Sequence, residues 1–368
     1  MAGSSFGTIF RITTWGESHG KALGVVVDGC PAGLPLSEAD IQPYLDRRKP
    51  GQSSITTQRK ESDQVEILSG VFEGKTTGTP ISMLLRNTSQ ISKDYDDIAS
   101  YYRPGHADYT FDTKYGFRDY RGGGRSSARE TAGRVAAGAV AIKILKTLGI
   151  EVSAYTRSIG PVEINDASFE KEAIYTTITA MPDREASKKA EEFLQRCREE
   201  TDSAGGVVEV VVDHMPAGIG DPVFEKLDAN LSKALFSIGA VKAVEIGSGI
   251  AVTKSKGSQN NDPFIMTEKG IAKKSNHAGG ILGGISDGDR IIARAHFKPT
   301  PSIFHTQDTV NKDGEEIKVQ IKGRHDPIVV PRAVVVVEAM TALTLVDLLL
   351  TNMSARMDRL TDFYSLVH

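Results

Sequence analysis

Apolar residues recur along this chain with two different periods, and the interleaving of the two predicts a mixed fold. Phe6 to Thr14 and Leu23 to Asp28 alternate closely enough for strands. Val65 to Arg86 breaks into strand-like pieces at Gly70, Gly74 and Gly78, the pattern of a meander. Glu151 to Ile159, Val207 to Val212, Val241 to Ile246, Ile291 to Phe297 and Ile317 to Ile321 are the other strand candidates. Helical spacing runs from the candidate N-cap Ser37, with Asp40 behind it, through Leu45. It returns in Ala132, Val135, Ala136, Ala139 and Val140, in the amphipathic stretch Asp183 to Thr201, and in Val223 to Phe236. The most apolar window, Ala333 to Leu350, reads as a helix from about Pro331, although its valines favour strands. Glu338 and Asp347 inside it point to a buried or interface helix and away from a membrane span. Four stretches read as irregular: a polar loop from Gln52 to Asp63, the link between Asp108 and Gly122, a loop from Gly257 to Lys274, and the glycine-rich run His277 to Gly284.

Strands and helices are interspersed without a Pro/Ser linker, so the class is α/β or α+β and residues 1–368 form one domain. The net charge of −3 gives no global basic field, which argues against a nucleic-acid partner. Basic residues are nevertheless dense in one place, where Arg103, Arg118, Arg121, Arg125, Arg129 and Arg134 outnumber the acids. That suits a small anionic ligand. Cys30 and Cys197 lack metal or redox spacing, and the first residues lack the pattern of a secretion signal. A reducing, cytoplasmic home is expected.

The arginine-dense stretch also carries Gly122-Gly123-Gly124-Arg125-Ser126-Ser127-Ala128-Arg129-Glu130. Ser127 and Glu130 have capping-box spacing, which makes Ser127 the expected N-cap of the helix ending at Gly149. Unpaired N–H groups at such a helix start favour an anion, and Arg125 and Arg129 flank it. An ordinary glycine turn before a core helix fits the local pattern equally well. It is neither a Walker A loop nor a Rossmann turn. Arg47-Arg48-Lys49 ends a helix, where cations are favourable, or forms a second anion contact. No histidine pair has metal-ligand spacing, so no metal site is expected. His19 and His106 each lie in a glycine-flanked polar loop beside acids or hydroxyls, the setting for proton transfer near neutral pH. Asp326, between His325 and Pro327, is a third candidate.

Taken in order, Gly16-Glu17-Ser18-His19-Gly20, Arg103-Pro104-Gly105-His106-Ala107-Asp108, Gly124-Arg125-Ser126-Ser127-Ala128-Arg129-Glu130-Thr131 and Gly323-Arg324-His325-Asp326-Pro327 resemble the chorismate synthases. Asp46-Arg47-Arg48, Ser275 to Gly280 and Lys298-Pro299-Thr300 extend the resemblance over nearly the whole chain. It implies an α+β, single-domain β-α-β sandwich that assembles as a homotetramer. It also implies a lyase converting 5-enolpyruvylshikimate 3-phosphate to chorismate by anti-1,4-elimination of phosphate. Reduced FMN is the implied cofactor, without net redox change, and NADPH enters only as a source of reduced flavin. The roles that carry over are His19 for protonating the leaving phosphate, His106 for protonating or holding the flavin, and Asp326 for helping to remove the ring proton. Arg125, Ser126, Ser127, Gly239, Ala240, Gly283, Lys298, Pro299, Thr300, Pro301, Ser302 and Arg324 match flavin contacts. Arg48 matches a position for substrate or NADP anions, and Arg129 is grouped with it. Ser54 stands where relatives often carry Lys or Arg. A flavin oxidoreductase using the same anion site is the alternative.

Overall fold

The computed structural model describes residues 3–49, 51, 62–87, 97–268, 270–321 and 327–365. Among them are two five-stranded sheets. The first comprises β1 (Ser5–Phe6), β2 (Arg11–Gly16), β3 (Ala22–Asp28), β4 (Val65–Ile67) and β5 (Ile81–Arg86) in the order β1-β2-β3-β5-β4, antiparallel throughout. The second comprises β6 (Glu151–Ile159), β7 (Val162–Glu163), β8 (Gly206–Asp213), β9 (Val241–Ile246) and β10 (Ile291–Phe297) in the order β9-β10-β8-β6-β7, again antiparallel. The principal helices are α1 (Glu38–Arg48), α2 (Asp108–Tyr115), α3 (Thr131–Thr147), α4 (Arg184–Glu199), α5 (Leu227–Phe236) and α6 (Val330–Thr351).

α3 packs on β2, β3 and β5 of the first sheet and on α6, while α6 packs on β6 and β8 of the second. The helices therefore form a middle layer between two sheets, and one continuous apolar core joins all three layers. This position explains why neither central helix has a polar face: a helix covered on all sides is apolar all round. It also explains why the valines of α6 are helical. Burial between two sheets outweighs a strand propensity worth at most ~1 kcal/mol. α6 is long and apolar enough to cross a membrane, but 83% of that stretch is buried inside the protein, which makes it a core helix.

The polar groups of α6 are used to tie the layers together. Glu338 accepts an ion pair from Arg47 Nη2 at 2.8 Å, and burial raises its pKa against the pull of that arginine. Asp347 accepts backbone N–H bonds from Thr8, Ile9 and Phe10 at 2.8, 2.7 and 3.0 Å, which fixes the turn between β1 and β2. Where α3 crosses α6 the backbones nearly touch: a Cβ added at Gly138 would lie 2.3 Å from Ala339 Cβ. Gly138→Ala should therefore force the helices apart and cost about 1–3 kcal/mol. An unchanged urea midpoint would show that the crossing is not the constraint it looks.

Some irregular stretches acquire structure. The link after Asp108 forms α2, stopped by the left-handed Gly116. The loop before Ser275 holds a short helix, Gly257–Asn260, and the hairpin Phe264–Thr267 with Gly270–Lys273. The glycine run folds into a two-residue hairpin, Ile281–Leu282 with Ile285–Ser286. In each case tertiary partners supply what a short segment cannot supply alone. For the long loop the partner is the buried Lys273, whose Nζ lies 2.6 Å from Asp287 and 3.3 Å from Asp289.

Candidate active site

The triple glycine lies between the two loop histidines. Gly122, Gly123 and Gly124 all take positive φ, +63°, +84° and +53°, which only glycine adopts freely three times in succession. The absence of side chains matters as much as the turn. A Cβ on Gly122 would sit 2.3 Å from His19 Cε1, and one on Gly123 would sit 3.1 Å from His106 Cε1. Residues far apart in sequence are thus seated on adjacent glycines. Ser18 N donates to Gly124 O at 3.5 Å, and Ser126 Oγ donates to Gly123 O at 2.7 Å. Gly122→Ala should displace the His19 ring and lower kcat about tenfold; wild-type turnover would show that His19 tolerates the shift.

His106 is held through one nitrogen. Its Nδ1 lies 2.9 Å from Asp108 Oδ1 and 2.9 Å from Arg103 Nη2. One neutral tautomer accepts from Arg103 at Nδ1; the other, like the imidazolium, donates from Nδ1 to Asp108. Nε2 is engaged by neither group and is the ring nitrogen left for a ligand. Asp108 also accepts two bonds from Arg103, Nε and Nη2, each at 2.8 Å. Burial alone would raise its pKa, but the bonds from Arg103 and His106 outweigh it and hold the carboxyl well below the usual range. Arg118 backs this pair, spanning Ile98 O and Tyr101 O at 2.8 Å and lying over the Tyr102 ring.

The helix start is built differently from the capping-box expectation. Ser127 Oγ accepts from Arg129 N at 3.3 Å, capping a 3₁₀ turn, Ala128–Glu130, that leads into α3. Glu130 turns away to pair with Arg134 at 2.7 Å, because the 3₁₀ turn carries it off the face from which it could reach back. Arg125 folds under the N-terminal sheet: it donates to Gly16 O at 3.1 Å and Thr14 Oγ1 at 2.8 Å. Its guanidinium ties the His19 loop to the glycine loop.

Arg129 points to a buried cluster. It forms an ion pair with Asp63, which also lies 3.6 Å from Arg48 Nη1. All three are buried, Asp63 completely. Arg332 Nε donates to Arg48 O at 3.1 Å and brings a third cation close. Arg48 Nε and Nη1 and Asp63 Oδ2 have no hydrogen-bond partner among the described residues. Burial, with Arg332 and Arg129 nearby, pushes the Arg48 pKa down despite Asp63. Burial likewise opposes the Asp63 charge, but Arg48 and Arg129 prevail and its pKa is lowered. Arg48, Arg129 and Arg332 gather about Asp63, and with Arg48 donors unpartnered among the described residues they form a cage that suits an anion.

The segment after β10 closes the site beside His106. Lys298 Nζ donates to Gly105 O at 2.6 Å, and Pro301 lies against Gly105. Lys298 N donates to Ala240 O at 2.9 Å, which places Gly239 and Ala240 in the same neighbourhood. Burial, then Lys242, lowers the Lys298 pKa. Thr300 Oγ1 is buried without a partner among the described residues, while Thr300 O accepts from Ser203 Oγ. Gly283 stands apart. It belongs to the hairpin whose Gly284 O accepts from Leu227 N, at the N-terminal end of the 10-residue α5, whereas Gly239 follows the other end. Arg324 and Asp326 lie outside the described residues, as does Ser54.

Residues 10–350 match the family model described as chorismate synthase. The chain belongs to the chorismate synthase family. It is 65% identical over 364 residues to the chorismate synthase of Agathobacter rectalis, covering 99% of both chains. It is also 65% identical to that of Lachnoclostridium phytofermentans, over 99% of this chain and 100% of the relative. A crystal structure of chorismate synthase superposes with a TM-score of 0.76 at 33% identity, over 98% of this chain and 97% of that one. Family membership makes the protein a lyase of aromatic biosynthesis acting on a small molecule. Asp63, Asn87 and Arg332, which meet Arg129 or Arg48 in the fold, were not singled out from the sequence. The one local signal was an aspartate at φ +46°, a conformation visible only in the fold.

Proposed function

We propose that the protein converts 5-enolpyruvylshikimate 3-phosphate to chorismate and phosphate by anti-1,4-elimination, with reduced FMN bound beside the substrate. One observation carries this reading: the glycine loop seats two histidines on adjacent glycines, next to buried arginines of which Arg48 has donors unpartnered among the described residues. The substrate bears a phosphate and two carboxylates, so it needs such a cage. Arg48 and Arg129 bind its anionic groups. His19, buried against Gly122, donates a proton to the departing phosphate and neutralises its charge.

The residues present fit a flavin. The side-chain-free glycines, the Thr300 hydroxyl with no partner among the described residues, and Lys298 beside Gly105 offer close backbone approach, a hydrogen bond and a cation. Ser126, Ser127, Gly239, Ala240 and Lys298 to Ser302 would hold it, with His106 donating from Nε2. Gly283 and Arg324 are assigned to the same cofactor by resemblance. When bound, reduced FMN supplies an electron transiently, chemistry that belongs to the cofactor. Asp326 assists removal of the ring proton. By the same resemblance the enzyme is a cytoplasmic homotetramer, with reduced flavin supplied from outside and NADPH serving only that supply.

The test is an anaerobic assay with chemically reduced FMN, run beside oxidised FMN and NADPH plus FMN. Chorismate and phosphate should appear in equal amounts and only with reduced flavin. Substrate-dependent NADPH oxidation without phosphate release would support a flavin oxidoreductase and overturn the lyase reading. Products formed with NADPH as the sole reductant would overturn external flavin supply.

A further inference from the structure

Asn87 follows β5 directly and holds two parts of the site with one side chain. Its Nδ2 donates to Glu17 O at 3.1 Å and to Gly20 O at 2.8 Å, the carbonyls on either side of Ser18-His19. Its Oδ1 accepts from Arg129 Nε at 2.8 Å. Its backbone N–H donates to Lys21 O at 3.2 Å and holds the same loop at its far end. The amide orientation is dictated by its neighbours, since an arginine Nε only donates and carbonyls only accept.

The Ser18 N–H bond to the glycine loop is long, at 3.5 Å, and Gly20 N donates to Glu17 O at 3.1 Å. Arg129, for its part, is fixed by Asp63 on one side and by Asn87 on the other. A continuous path therefore runs from the arginine cage through Arg129 and the Asn87 amide to the backbone flanking His19. We infer that Asn87 is a positioning residue that sets the distance between His19 and the anion held by the arginine cage. Proton transfer to a leaving oxygen requires hydrogen-bond reach, and a misplacement of ~1 Å costs about a hundredfold. The inference rests on the proposed roles of His19 as proton donor and of Arg48 and Arg129 as anion ligands.

The two halves of the amide can be separated. Asn87→Asp keeps an acceptor for Arg129 but sets a carboxylate against two carbonyl oxygens, so it loses only the hold on the His19 loop. Asn87→Ala loses both. In the anaerobic assay, Asn87→Asp should lower kcat by about tenfold to a hundredfold with the substrate KM little changed. Asn87→Ala should lower kcat similarly and also raise KM. Melting temperatures should fall by only a few degrees in both. The inference is overturned if Asn87→Asp keeps kcat within about threefold of wild type, or if both variants change KM alone. Should Asn87→Asp not fold, Asn87→Ala decides by itself: an unchanged kcat overturns the inference. His19→Ala, measured in parallel, separates the two levels. If it retains wild-type kcat, the role of His19 fails and takes this inference with it; if it is crippled while Asn87→Asp is not, only the inference fails.

Discussion

His106→Ala is expected to lower kcat by about 10²–10⁴-fold while the protein stays folded. The ring contributes little to the apolar core; it lies in a loop, partly exposed, with Nδ1 engaged by Asp108 and Arg103. Arg103 and Asp108 remain paired to each other in the variant, through two 2.8 Å bonds, so no buried charge is orphaned. The loss therefore falls on catalysis, through the missing imidazole. The measurement is kcat in the anaerobic assay beside a thermal melt. Near-normal turnover would sink the role of His106, and a collapse in melting temperature would make it a structural residue.

Asp63→Asn is expected to destabilise the protein by about 3–5 kcal/mol, because it removes a buried carboxylate from between two buried arginines and leaves Arg48 without its ion-pair partner. Inorganic phosphate should restore more of the melting temperature in the variant than in the wild type, since an anion can then enter the cage. An equally stable variant, or one indifferent to phosphate, would mean that the cluster is solvated or already balanced. The pH dependence follows from the direction of the shift. The folded-state pKa of Asp63 lies below its unfolded value of ~3.9. Its contribution is thus complete above the unfolded value and is lost as pH falls from there toward the folded one. Asp108 is shifted in the same direction and adds to the same acid limb. Below pH ~4, wild type should lose stability more steeply than Asp63→Asn.

Most strands of both sheets and the start and stop of α1, α4 and α6 were legible in the sequence, because each depends on periodicity over many residues or on a cap such as Asp183, whose Oδ1 accepts from Glu185 N and Ala186 N. The single strand read over Phe6 to Thr14 is instead split by a turn into β1 and β2, and the two-residue β7 was too short to show. α2 and the hairpins after Gly257 and His277 were not. They are short, and partners from distant segments hold them, as Asp287 holds Lys273.

By itself the sequence determined the mixed class, the buried nature of α6, and the motifs that mark a chorismate synthase, including both loop histidines and the glycine run between them. These are local properties of spacing and residue type. Only the tertiary structure decided that His19 and His106 rest on adjacent glycines, that Arg125 ties loops together, and that Asp63 and Asn87 bind Arg129 from opposite sides. Those facts depend on where antiparallel strands end in space and on which buried charges must find partners. Side chains contributed from just after β5, from the segment before β4 and from the turn before α3 meet at one point only after the first sheet has packed on the helical layer.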